Sequence, residues 1–137
     1  MFYLIYISTA SGPMADDDLV ALLDQSRRKN ADLGITGMLV YQLGNFMQLL
    51  EGDEAVVRNL FETIKRDKRH FAVISIITGT STDRNFDDWS MGFCNLDDSG
   101  DLQRYEQYIR KNLVLREFQD DTRHAYDFMV MFSESRR

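Results

Sequence analysis

The chain has one cysteine and one proline in 137 residues, and its two histidines, His70 and His124, are widely separated. A single Cys94 excludes an internal disulfide framework and any cysteine-built zinc site. The histidines fall at no metal-ligand spacing, Cys94 has no obvious base in the pattern, and no glycine-rich phosphate loop occurs. Metal and nucleophile chemistries are therefore not legible here. Apolar runs are short too, none approaching the roughly 18 residues of a membrane span. The apolar opening Met1 to Ile7 lacks a basic flank and a small-residue cleavage site, so it reads as a buried first strand rather than a signal peptide. Basic side chains number 16 against 22 acidic, and the net charge of −6 disfavours phosphate backbones. The expectation is a cytosolic protein with neither nucleic acid nor membrane as partner.

What is present is an ordinary globular composition, 44% apolar and 28% charged, in a length that suits one domain. Such a chain buries roughly two-thirds of its unfolded surface without a metal or disulfide. Strand and helix patterns alternate along it. Residues 2 to 8 are aromatic and β-branched and run into Ser8-Thr9-Ala10-Ser11-Gly12-Pro13, a loop composition. A helix is predicted from about Ala15 to Asp32. Asp16, Asp17 and Asp18 suit its positive dipole end, and Arg27, Arg28 and Lys29 are read as its last turn. Leu19, Leu22, Leu23, Ser26 and Asn30 share one stripe that turns polar toward the C-terminal end. Ile35 to Tyr41 and Asn45 to Glu51, separated by Gln42-Leu43-Gly44, form a hairpin. Asp53 caps a second helix to about Arg66, with Val57, Leu60, Phe61 and Ile64 inward. Phe71 to Thr78 is a fourth strand and Met91 to Asn95 a fifth. Beyond a polar loop at Asp97 to Gly100, two amphipathic helices are predicted, needing the open sheet face, each other or another subunit for cover.

This order predicts a ferredoxin-like βαββαβ(β) α+β sandwich, with two helices on one face of a mixed sheet and two C-terminal helices added. In that topology the first and third strands are central neighbours. Period-two alternation then allows Tyr6 and Gln48 to point to the same helix-covered face. Each is a polar group in an otherwise apolar run, where lack of a partner costs about 1–3 kcal/mol. Taken alone, Tyr6 reads as a core tyrosine with a satisfied hydroxyl, and Asn30 as a helix-ending residue that tolerates the left-handed conformation. Arg69 and His70 read as a solvated basic helix end, and Trp89 with Met91 as plain core.

Taken together, five segments carry a resemblance. Leu4-Ile5-Tyr6-Ile7-Ser8, Lys29-Asn30 before Gly34-Ile35-Thr36-Gly37, Gly44 to Gly52 around Gln48, Asp67-Lys68-Arg69-His70 and Asp88-Trp89-Ser90-Met91 resemble the BLUF family of flavin-based blue-light sensors. The resemblance covers residues 1 to 96, implying a flavin-binding domain there and a helical extension over 97 to 137 for signal transmission and oligomer contacts. It implies that Tyr6 and Gln48 are the photoactive pair. Tyr6 would donate an electron to the excited flavin with proton relay through Gln48, and the return would leave the glutamine rotated or in its imidic tautomer. The flavin carbonyl then gains a hydrogen bond and absorption moves to the red. Asn30, Lys29, Leu22, Ile64, Arg69 and His70 match residues around the ring, and Trp89 and Met91 match the pair implicated in transmission. The cofactor implied is FAD, with FMN or riboflavin as substitutes. The residues after Leu96 are too few for a cyclase or cyclic-dinucleotide phosphodiesterase domain, so the resemblance is to a short stand-alone, non-enzymatic BLUF protein. Its output would be altered contacts in a homo-oligomer or with a downstream protein.

Three alternatives use the same pattern. A flavin-binding assembly module without photosignalling needs the same pocket but no light response. An RNA-recognition module lacks the basic, glycine-rich aromatic motif here, and a small acyl-phosphate hydrolase lacks an arginine-lined anion loop between Ser8 and Pro13.

Overall fold

Strict alternation in the first strand decides which side chains meet the helices. In the computed structural model, which describes residues 1–80, 82–84 and 91–95, the elements run β1 (Phe2–Ala10), α1 (Asp16–Leu33), β2 (Thr36–Gln42), β3 (Asn45–Gly52), α2 (Glu54–Lys65), β4 (His70–Thr80) and β5 (Gly92–Asn95). The sheet order is β4-β1-β3-β2-β5. β1 pairs antiparallel with β3 and β4, β2 antiparallel with β3, and β5 runs parallel to β2. The ferredoxin-like expectation holds, and the fifth strand makes the sheet mixed by adding to the β2 edge.

Both helices cover one face. Phe2, Leu4 and Tyr6 of β1, Leu39 and Tyr41 of β2, and Phe46 and Leu50 of β3 form one cluster with Leu19 and Leu23 of α1 and Val57, Leu60 and Phe61 of α2. Each large side chain so buried contributes about 1.5–3 kcal/mol. Tyr3, Ile5, Met38, Val40, Met47 and Leu49, on the opposite face, are also buried. The two helices expected over residues 97–137 lie outside the described residues.

Local chemistry explains the boundaries. Asp18 accepts from the Ala15 N–H at 3.0 Å and opens α1. The helix runs one residue beyond the expected Asp32, so Arg27, Arg28 and Lys29 are not its last turn, which has no basic residue. Gly34, at φ 68°, takes the left-handed position, and Asn30 stays inside the helix. The reading of Asn30 as a left-handed terminus therefore falls. Asp53 caps α2 by accepting from the Val56 N–H at 3.3 Å. Gln42 joins β2 instead of the hairpin loop, leaving Leu43 and Gly44 as a two-residue turn with φ 49° and 76°. Positive φ at both positions suits the right-handed twist of the flanking strands.

β4 spans two residues more than expected at its C-terminal end, and it carries two register shifts against β1. Leu4 faces Thr78, Tyr6 faces Ser75, and Ala10 faces His70. Each shift exchanges the faces of β4, so the second restores what the first reversed and returns His70 to the helix side. Ala72, at φ 53°, sits in the second shift. Gly37 on β2 is a different constraint, since a Cβ there would lie 1.9 Å from the Leu49 carbonyl oxygen and 3.3 Å from Met91 Cε.

Two outcomes follow for stability, both measured by urea unfolding. Gly37→Ala should cost about 2 kcal/mol or more, because the obstruction is backbone and cannot rotate away. Ala72→Gly should stabilise by up to about 1 kcal/mol by relieving the positive φ, whereas Ala72→Val should lose about 1–3 kcal/mol.

Candidate functional site

Between α1 and α2, above the sheet, lies an open cleft. Its floor comes from the centre of the sheet, where Tyr6 of β1 stands directly opposite Gln48 of β3 and Gln48 directly opposite Leu39 of β2. Opposed residues share a face with Cβ atoms about 5 Å apart, so a phenol and an amide placed there can meet. They do. The Tyr6 hydroxyl donates a short hydrogen bond to Gln48 Oε1, and both residues are only 4% exposed. The amide's other end, Nε2, donates to the Met91 Sδ at 3.3 Å. Met91, 1% exposed, immediately precedes β5 and occupies the space that Gly37 leaves empty.

The walls come from the helices. Leu22 of α1 and Ile64 of α2 are half-buried and line the cleft from opposite sides. Asn30, 2% exposed, and Lys29, exposed, line it from the last turns of α1. The polar drift of the α1 stripe is thus the helix passing from core into cleft, and Ser26 and Gln25 belong to the lining as well. Leu39, Phe46, Leu60 and Thr63 complete it; composition alone did not separate these from ordinary core.

The turn after α2 supplies the charged rim. Asp67 accepts from the Arg69 backbone N–H at 2.9 Å and from its Nε at 3.0 Å, and the pair forms a salt bridge. The Arg69 hydrogen bonds hold the Asp67 carboxyl down to about 2, against the opposing effect of partial burial, and the same bonding raises Arg69. Arg69 and His70 both line the cleft; Arg69 is exposed but lies beyond the end of α2 and is paired with Asp67, while His70 is half-buried. His70 Nε2 lies 2.7 Å from the Ile64 carbonyl and Nδ1 2.8 Å from Ser8 Oγ. A carbonyl only accepts, so Nε2 carries a hydrogen. Asp67, within the Asp67-Lys68-Arg69-His70 segment, lines the cleft too. Trp89 lies outside the described residues.

Burial raises the Tyr6 phenol well above its ordinary value, and the negative charge of Asp67 adds to this. The phenol therefore stays protonated at every physiological pH. Because the folded-state value is raised, the stabilisation is complete below about pH 10, the unfolded value, and is lost as pH rises above it. Measured by urea unfolding above that pH, wild-type stability should fall more steeply than that of Tyr6→Phe, by up to about 1.4 kcal/mol per pH unit. Equal slopes would show that Tyr6 is not desolvated.

Comparison with known proteins places this geometry in context. Residues 1–92 match the family model BLUF, sensors of blue-light using FAD. The photoactivated adenylate cyclase subunit beta of Euglena longa is 44% identical over 73 residues, which are 53% of this chain and 8% of that protein. The chain thus spans under a tenth of the length of that relative. Among solved structures, the dark state of BlrB, a BLUF protein, is 32% identical with a TM-score of 0.67, covering 76% of this chain and 82% of that one. BlrP1 of Klebsiella pneumoniae with FMN and cyclic diGMP is 28% identical with a TM-score of 0.77, covering 97% of this chain and 34% of that one.

Proposed function

The chain belongs to the BLUF family of blue-light sensors using FAD, and from that premise we propose that Tyr6 and Gln48 are its light-driven switch. The flavin binding and photoreceptor character come with the family. The observation that carries the residue assignment is the buried Tyr6–Gln48–Met91 hydrogen-bonded series at the floor of the cleft.

The cleft suits an isoalloxazine ring. Leu22 and Ile64 offer apolar contacts to the two faces of a flat ring, while the amides of Asn30 and Gln48 offer both donors and acceptors to its polar edge. Lys29, Arg69 and His70 also line the cleft and would hold the ring edge and the ribityl chain. FAD is the expected cofactor, and FMN or riboflavin can substitute because the grip is mainly on the ring.

Bound flavin supplies the blue absorption and, when excited, the electron vacancy that a phenol can fill. The chain's own residues do the rest. Tyr6, un-ionised, loses its Oη proton to Gln48 Oε1 along the existing hydrogen bond as its electron leaves. On return of the electron, Gln48 gives one proton back to the phenolic oxygen, either the one it received, which leaves a rotated amide, or one from its nitrogen, which leaves the imidic tautomer. Either form presents a new donor to the cleft and changes what faces Met91, since a thioether accepts from an N–H but offers nothing to an amide oxygen. Met91 and, in the same role, Trp89 carry the change outward. Residues 1–96 act as the sensor, and 97–137 as the extension through which contacts within a homo-oligomer or with a downstream protein are altered. We place the protein in the cytosol, consistent with there being no helix among the described residues long and apolar enough to cross a membrane.

Absorbance before and after blue illumination tests the assignment. The wild type should give a reversible red shift of oxidised flavin. Tyr6→Phe and Gln48→Ala should retain flavin and lose the shift, a loss of roughly tenfold or more in photoproduct yield. A normal photocycle in Tyr6→Phe overturns the mechanism, and an inert flavin in the wild type indicates an assembly module instead.

A further inference from the structure

The Arg27 side chain does more than lend charge to a helix. It projects from α1 one turn before Asn30, and its Nε donates to the Met91 backbone carbonyl at 2.9 Å. That bond joins positions 64 residues apart and attaches α1 to the start of β5. β5 is a strand of four residues that, among the described residues, pairs with β2. Met91 lies just outside that pairing, which begins at Gly92 opposite Met38.

We infer that Arg27 is a positioning residue of the switch. By holding the Met91 carbonyl, it sets the backbone from which the thioether is presented to Gln48 Nε2, and so favours the dark orientation of the amide. The inference rests on the Tyr6–Gln48 reading and extends it to a residue outside the cleft.

Three features of the contact support this assignment. Met91 Sδ meets Gln48 Nε2 at 3.3 Å, and an N–H···S bond is weak enough that a small displacement of its acceptor matters. The methyl of the thioether lies 3.3 Å from where a Cβ on Gly37 would stand, so Met91 uses room that only a glycine leaves. Displacement of the Met91 backbone is opposed by the Arg27 bond. In addition, the same helix carries Asn30 and Lys29 in the cleft, so α1 bears both on the cofactor site and, through Arg27, on the residue behind the switch.

The test uses the flavin-loaded full chain and reads dark recovery after a blue pulse. Arg27→Met keeps length and helix propensity but removes the donor. Recovery should slow by about three- to tenfold, the range expected for one hydrogen bond, with flavin uptake unchanged. Arg27→Lys can still donate to the carbonyl and should recover within about twofold of the wild type. In a Met91→Ala background, Arg27→Met should add nothing, because the thioether through which it acts is gone. A wild-type recovery rate in Arg27→Met overturns the inference, as does a full Arg27 effect persisting without the Met91 side chain. A wild type with no photocycle would overturn this inference and the switch reading together. A photocycle indifferent to Arg27 would overturn this one alone.

Discussion

The hydrogen bond between Tyr6 and Gln48 is the constraint on which the sheet and its chemistry both depend. Both groups are buried among Leu4, Leu39, Leu50 and Phe61, where an unpaired hydroxyl or amide would be destabilising. A one-residue slip between β1 and β3 would put Tyr6 and Gln48 on opposite faces and leave one of them without its partner among Ile5, Met47 and Leu49. The same contact thus selects the register for folding and, in the proposed switch, would set the proton path.

The amide is held unequally, and that inequality makes it suitable as a switch. Its oxygen has a firm phenol donor, while its nitrogen faces a thioether, a poor acceptor in a polarizable and adaptable side chain. Exchanging the second partner costs little, so two arrangements of one glutamine can lie close in energy. A stronger acceptor at position 91 would deepen the dark arrangement and oppose the change.

Around this centre, charge is kept at the rim. Asp67 and Arg69 satisfy one another at the mouth of the cleft, and His70 is tied to Ile64 and Ser8. The interior therefore presents amides, aliphatic walls and one un-ionised phenol. Asp67 still reaches Tyr6 through space, adding to burial in opposing ionisation of the phenol.

Patterns of period two and 3.6, with Asp53 as a cap, determined the seven elements to within two residues, because local propensity and amphipathicity agree along β1, α2 and the hairpin. They also marked Tyr6 and Gln48, as polar residues in apolar strands stand out in any context. Other features depended on neighbours far along the chain. The two bulges that return His70 to the helix face arise from pairing β4 to β1, and β4 by itself alternates no differently without them. The parallel placement of β5 and the clearance at Gly37 arise from which backbone passes beside which. Arg27 looks like any surface cation until residues 64 positions away are folded against it. Side-chain type and spacing are properties of the chain, but a partner's position is a property of the packed molecule, and hydrogen bonds need both.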